Sequence, residues 1–209
     1  MKYFAMSALL AVSTLAVSAR AADDEFKPFG YVQVDASRAA QFINGALGDA
    51  FTPLHATVAD TWGADAHAGY RFNKFLALEA EYEWMNDFNM RLAGLSIGQL
   101  QTQVATLNLK VVAPFGAVEP YFTAGFGALW TTISSKPGFA QYDVANGVFT
   151  GRFNAGIDWW LTQNLALNLG ASFVVNNAKI TASRGFGAVG SDGEGVDYLT
   201  GQFGFAYRF

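Results

Sequence analysis

The stretch that most narrows what this chain can become is Val196 to Phe209, VDYLTGQFGFAYRF. Leu199, Gly201, Phe203, Phe205, Tyr207 and Phe209 share one face of a strand, because side chains alternate sides along it. Thr200, Gln202, Gly204, Ala206 and Arg208 share the other face. A soluble sheet rarely leaves so aromatic a face on its last strand. A closed barrel in a membrane needs one: its first and last strands must pair, since no edge can stand in hydrocarbon, and its outer face meets lipid.

The same alternation recurs along the chain. The pattern predicts strands over 25–35, 61–72, 76–84, 100–113, 118–133, 146–160 and 165–176, with the stretch above as the eighth. In the second strand Trp62 and Tyr70 bracket Ala64, Ala66 and Ala68, as an aromatic girdle at each membrane interface requires. Connections after strands two, four and six are a few residues long, marked by Asn73-Lys74, Pro114 with Gly116, and Thr162-Gln163-Asn164. Those after strands one, three, five and seven are long, over 36–60, 86–98, 134–145 and 177–195. Short periplasmic turns and long external loops are the mark of an up-and-down barrel in the bacterial outer membrane, and an even strand count puts both chain ends on the periplasmic side. The fold class expected is therefore all-β, an eight-stranded antiparallel up-and-down transmembrane barrel. A short helix over 38–47 is compatible with the first long connection, whose Phe42, Ile43, Leu47, Phe51 and Leu54 give it an apolar side.

Charges fall mainly on the strand face opposite the apolar one. Asp35, Asp65, His67, Arg71, Glu79, Glu81, Glu83, Lys110, Glu119, Arg152, Asp158 and Arg208 point inward by alternation. Eight strands enclose little more than their own side chains, and lone buried ions are costly, so these groups must pair or meet water. The expectation is a network linking Asp65, Glu79, Glu81 and Glu83 with Arg71, Lys110, Arg152 and Arg208. Glycines on the same face, among them Gly125, Gly127, Gly156, Gly170 and Gly204, suit a crowded interior.

Lys2, the apolar run of residues 8–17 and the small-x-small triplet Ala19-Arg20-Ala21 read as an export signal over residues 1–21, leaving a barrel domain over 22–209. With no cysteine, disulfides, thiolate metal sites and thiol nucleophiles are excluded. Without Lys2 and Arg20 the chain carries 11 basic against 17 acidic residues, a balance that gives nucleic acid no footprint. His55 and His67 are the only histidines, too few without cysteine to mark a metal site, and no nucleophile elbow or phosphate loop occurs. No catalysis, cofactor or metal is expected.

The hairpin GYRFNKFLALEAEYEW from Gly69 to Trp84, the strand VEPYFTAGFGALW from Val118 to Trp130 and the ending GQFGFAYRF resemble the small outer-membrane β-barrel family of porin-like and opacity-like surface proteins. The resemblance implies that Phe205, Tyr207 and Phe209 form the signal read by the barrel-assembly machinery. It supplies no catalytic residue, and with no periplasmic domain after the last strand it implies no cell-wall tether. Two functions remain open. One is a monomeric surface scaffold, held in outer-membrane lipid, whose loops meet an extracellular ligand or host surface. The other is a porin-like channel or transporter for small ions or small apolar solutes.

Overall fold

The computed structural model describes residues 26–43, 57–58, 61–92, 95–135, 141–144, 147–176, 180–184 and 196–209. The export signal expected over residues 1–21 lies outside them. Eleven strands follow in order: β1 (Phe29–Ile43), β2 (Thr57–Val58), β3 (Thr61–Arg71), β4 (Leu76–Leu92), β5 (Leu95–Val112), β6 (Val118–Ser135), β7 (Gln141–Val144), β8 (Val148–Trp160), β9 (Leu165–Asn176), β10 (Ile180–Arg184) and β11 (Val196–Arg208). Eight of them, β1, β3, β4, β5, β6, β8, β9 and β11, form an antiparallel ring in which each pairs with the next, and β2 joins the same sheet alongside β4. The sheet closes when β1 pairs with β11, from Tyr31 opposite Arg208 to Ile43 opposite Val196. Closure satisfies every strand edge across the apolar band, the condition for a sheet in lipid.

Alternation sets the two surfaces. Val34, Trp62, Phe126, Phe149, Leu169, Phe205 and Phe209 are exposed on the outside, while Gln33, Asp65, Glu81, Asn108, Thr123, Arg152 and Gln202 are buried within. Apolar side chains outside and polar ones inside invert the order of a water-soluble sheet, as lipid demands. At one end the turns are tight. Asn73 Oδ1 accepts hydrogen bonds from the backbone N–H groups of Phe75 at 2.8 Å and Leu76 at 3.0 Å. Gly116 turns at φ 70°, a left-handed conformation that suits glycine. The Thr162 hydroxyl accepts from the N–H groups of Asn164 and Leu165.

At the other end the strands run further than the sequence pattern predicts. The long connection expected over 86–98 is mostly strand: β4 and β5 stay paired to Leu92 opposite Leu95. Irregularities between Met85 and Phe88 and between Met90 and Arg91 shift the register there. Each shift swaps the faces, so the alternation is lost although the ladder continues. The helix considered over 38–47 does not form in its described part. Residues 38–43 belong to β1, which starts at Phe29 rather than Glu25 and is gripped by β3 on one side and β11 on the other. Pairing on both edges overrides local helix preference here. Strand six begins at Val148, not Asn146, and β7 and β10, from the third and fourth connections, pair into a separate small sheet. Leu47, Phe51 and Leu54 lie outside the described residues.

Two inward glycines mark where β6 leans on β5. A Cβ at Gly127 would lie 1.8 Å from the Ala105 carbonyl oxygen, and one at Gly125 would lie 2.5 Å from that of Leu107. Gly201 on β11 has open space where its Cβ would be. Gly127→Val is therefore expected to abolish the heat-modifiable gel shift of the folded barrel, while Gly201→Ala keeps it. An unchanged shift in the Gly127 variant would show that β6 can move away from β5.

Candidate functional site

The interior is a stack of polar layers topped by an apolar one. At the end bearing the tight turns, Arg71 on β3 donates to both oxygens of Glu119 on β6, at 2.6 and 3.2 Å. The same guanidinium donates to the Lys74 carbonyl at 2.6 Å, and Trp160 Nε1 donates to Glu119 at 2.8 Å. Two-point pairing suits the planar guanidinium and fixes its orientation. Arg208 does not join the carboxylates as expected. It is half-buried at the rim, its guanidinium 4.6 Å from the centre of the Trp160 ring and 5.1 Å from that of Phe29. Its place at the end of β11 leaves it beside aromatic rings instead of acids. A cavity of about 20 Å³ lies just inside, between Phe29, Tyr31, Lys110 and Asp158, with room for about one water.

The next layer centres on Lys110 of β5. Its Nζ is 2.9 Å from Asp158 and 3.8 Å from Glu79, over the face of Tyr121 at 4.0 Å. Tyr31 donates to Glu79 at 2.7 Å, and Asn168 donates to Asp158 at 2.7 Å. Above it, His67 of β3 has Nδ1 3.0 Å from Glu79 and Nε2 3.0 Å from Asp35. Both ring nitrogens thus face carboxylates. The third layer centres on Arg152 of β8, which has no exposed surface. It contacts Glu83, lies 2.9 Å from Glu81 and 3.7 Å from Asp65. Tyr198 donates its hydroxyl to Glu83, while Asn108 and Asn154 donate to Glu81 at 2.7 and 3.0 Å.

Strand register explains the layout. Asp35, Asp65 and Glu83 occupy one cross-strand row on β1, β3 and β4, and Gln33, His67 and Glu81 occupy the next. Like charges side by side in a sheet repel, so the row needs a cation from elsewhere. Arg152 supplies it from across the lumen. Phe205 and Tyr207 on β11, with Phe209 beside them, are all exposed on the outer surface.

Above Arg152 the chemistry changes. Ala39, Met85, Val104, Leu129, Val174 and Tyr198 form a buried apolar cluster inside the barrel, with Val148 packed against it. Sequence reasoning missed this ring. Its parity was nevertheless available: Met85 follows Glu83 by two, and Leu129 follows Gly127 by two. The tyrosines and asparagines that complete the polar layers were legible in position but not in role.

Removing one partner of a buried charge cluster leaves the others unpaired, at a cost of about 3–5 kcal/mol. Arg152→Met is expected to lose stability on that scale in urea titrations of the refolded barrel. Arg208→Met, which gives up rim contacts with rings, is expected to lose about 1 kcal/mol or less. Equal losses would mean that Arg152 is not the hub of the network.

A model of the outer membrane protein beta-barrel domain matches residues 7–209. Outer membrane protein A of Klebsiella aerogenes is 28% identical over 148 residues, 70% of this chain. The match spans only 39% of that relative's length. Among solved structures, AlkL in lipid bilayers superposes with a TM-score of 0.64 at 15% identity, covering 92% of this chain and 95% of that one. OprG of Pseudomonas aeruginosa gives 0.58 at 17% identity, covering 87% and 95%. The chain belongs to the outer membrane protein beta-barrel domain family: it is an eight-stranded outer-membrane barrel whose ends are periplasmic and whose longer connections are extracellular.

Proposed function

We propose that this barrel transfers small apolar solutes from the extracellular side sideways into the outer leaflet, and is not a water-filled pore. The observation that carries the reading is the apolar ring of Met85, Val104, Leu129 and Val174 inside a barrel whose lumen is otherwise polar. Barrel interiors of this class are ordinarily hydrophilic, so an apolar layer at this level suits the reception of an apolar group. Met85 is flexible enough to make way for one.

Two further features support the direction of transfer. Below the ring, the fully buried pair of Arg152 on β8 and Glu83 on β4 reaches across the lumen, which opposes passage to the periplasm through water. Beside the ring, the pairing of β6 with β8 ends at Leu129 opposite Val148, although β6 runs on to Ser135. Gly147, at φ 71°, turns the chain into β8 there, beside the Trp130 ring. Phe205, Tyr207 and Phe209 on the outer face are assigned to recognition by the assembly machinery and then to lipid contact.

A second reading, binding of an extracellular ligand or host surface through the loops, is favoured by the β7–β10 sheet, which ties two external connections together. Uptake separates the two. Proteoliposomes or cells carrying the barrel are expected to take up a small aromatic hydrocarbon such as naphthalene several-fold faster than those without it. Leu129→Lys, still heat-modifiable, is expected to return uptake to background, and planar bilayers with the wild-type barrel stay electrically silent. Uptake untouched by the variant, or a reproducible ion conductance, would overturn the transfer reading and leave the loops as the working surface.

A further inference from the structure

Arg208 stands apart from the other cations of the barrel. Among the described residues, Arg71, Lys110 and Arg152 are taken up by acids, and Arg208 and Lys27 are not. The Arg208 guanidinium is instead held against two rings, Trp160 at 4.6 Å and Phe29 at 5.1 Å. Stacking fixes the plane of a guanidinium and leaves its N–H edge free for a ligand. The backbone around it is also tied. The Arg208 N–H donates to the Asn164 carbonyl at 2.9 Å, and Asn164 Nδ2 donates to the Arg208 carbonyl at 2.9 Å. The Phe209 N–H donates to the Gly30 carbonyl at 3.0 Å.

Beside this guanidinium lies a pocket of about 370 Å³, lined by Lys27, Arg208 and Asn164 and by the rings of Phe26, Phe29 and Phe209. Its lining carries two cationic side chains and no acidic one. Glu119, at the same end of the barrel, is already held by Arg71 and by Trp160 Nε1. Lys74, in the turn between β3 and β4, adds a further cation to this end. The local excess runs against the chain's own balance of 13 basic and 17 acidic residues. An anion is the ligand that such a lining selects.

We propose that Lys27 and Arg208 hold the phosphate of an anionic phospholipid of the inner leaflet, at the seam where β1 meets β11. The pocket's place identifies the lipid as the source of that phosphate. Phe209 stands on the outer wall, 73% exposed, in line with Phe205 and Tyr207, where acyl chains lie. Arg208, one residue before it, turns toward the mouth of the lumen, and Lys27 is exposed. The pocket thus straddles the rim, with hydrocarbon on one side and periplasmic water on the other. A headgroup whose chains lie along Phe209 reaches both cations without leaving its leaflet. A guanidinium offers two parallel N–H bonds to phosphate oxygens, and a lysine adds a mobile point charge. Basic pockets at a membrane surface recognise anionic headgroups in this way.

Native mass spectrometry of the folded barrel in detergent, titrated with phosphatidylglycerol, phosphatidylethanolamine or inorganic phosphate, tests the site. Wild type is expected to retain a single phosphatidylglycerol, less firmly as salt is raised, and to retain phosphatidylethanolamine several-fold less. Inorganic phosphate is expected not to displace the lipid. Lys27→Gln combined with Arg208→Met is expected to weaken retention about tenfold with the heat-modifiable shift intact. Lys27→Gln alone, at an exposed position outside the strands, is expected to weaken it several-fold, and Lys74→Gln to leave it unchanged. Equal retention of the two lipids by wild type, or retention untouched by the double variant, would overturn the site. Displacement by inorganic phosphate would also overturn it, because a soluble anion would then be the ligand. So would retention that appears only after Asp23, Asp24 and Glu25 are neutralised, which would make that acidic run the occupant.

Discussion

A peptide group in hydrocarbon has no water to turn to, and that single fact governs this molecule. It forces the eight barrel strands to find two partners each, and it brings β1 against β11 although they lie at opposite ends of the sequence. Closure then dictates the rest. A ring of eight strands leaves a lumen only as wide as its side chains, so the inward residues must satisfy one another. The layers around Arg71, Lys110, His67 and Arg152 are the answer to that demand, with asparagine and tyrosine filling the places where charges alone would be left short of partners.

The same constraint explains why the lumen has two chemistries. Cross-wall pairs such as Arg152 with Glu83 and Lys110 with Asp158 make the middle and periplasmic parts of the barrel dense and polar. The apolar ring from Met85 to Val174 lies beyond them, level with the end of the β6–β8 ladder. Apolar packing and ion pairing are thereby kept in separate storeys of one small barrel. A change made to the ring can leave the ion pairs intact.

Much of this was legible in the chain. Period-two alternation located all eight barrel strands and assigned inside and outside for Glu79, Lys110, Arg152, Phe126 and Phe205, because each sits in an unbroken run. What stayed hidden has physical causes. The shifts near Phe88 and Arg91 reverse the faces, and the continuing ladder then reads as loop. Arg38, Ala39, Ala40 and Gln41 carry no strong strand preference of their own and take their form from pairing with β11, joined up to Ala39 by β3. Arg208 has inward parity but sits at the last position of β11, where the rim offers rings and not acids. The meeting of His67 with Asp35 and Glu81 depends on cross-strand register, which alternation along single strands cannot give.

The uneven distribution of charge around the wall has a consequence for how the barrel is made. Asp35, Asp65, Glu79, Glu81 and Glu83 belong to the first half of the chain, on β1, β3 and β4, whereas Arg152 arrives only with β8. A nascent sheet of the early strands alone is a curved, crowded anionic surface that repels itself and draws in water. It cannot bury that surface until the later strands bring their guanidinium across. The early carboxylates are all paired only once β8, the sixth barrel strand, has carried Arg152 across the lumen. The charge pattern thus binds the first half of the wall to the second, adding an electrostatic tie to the backbone ladder.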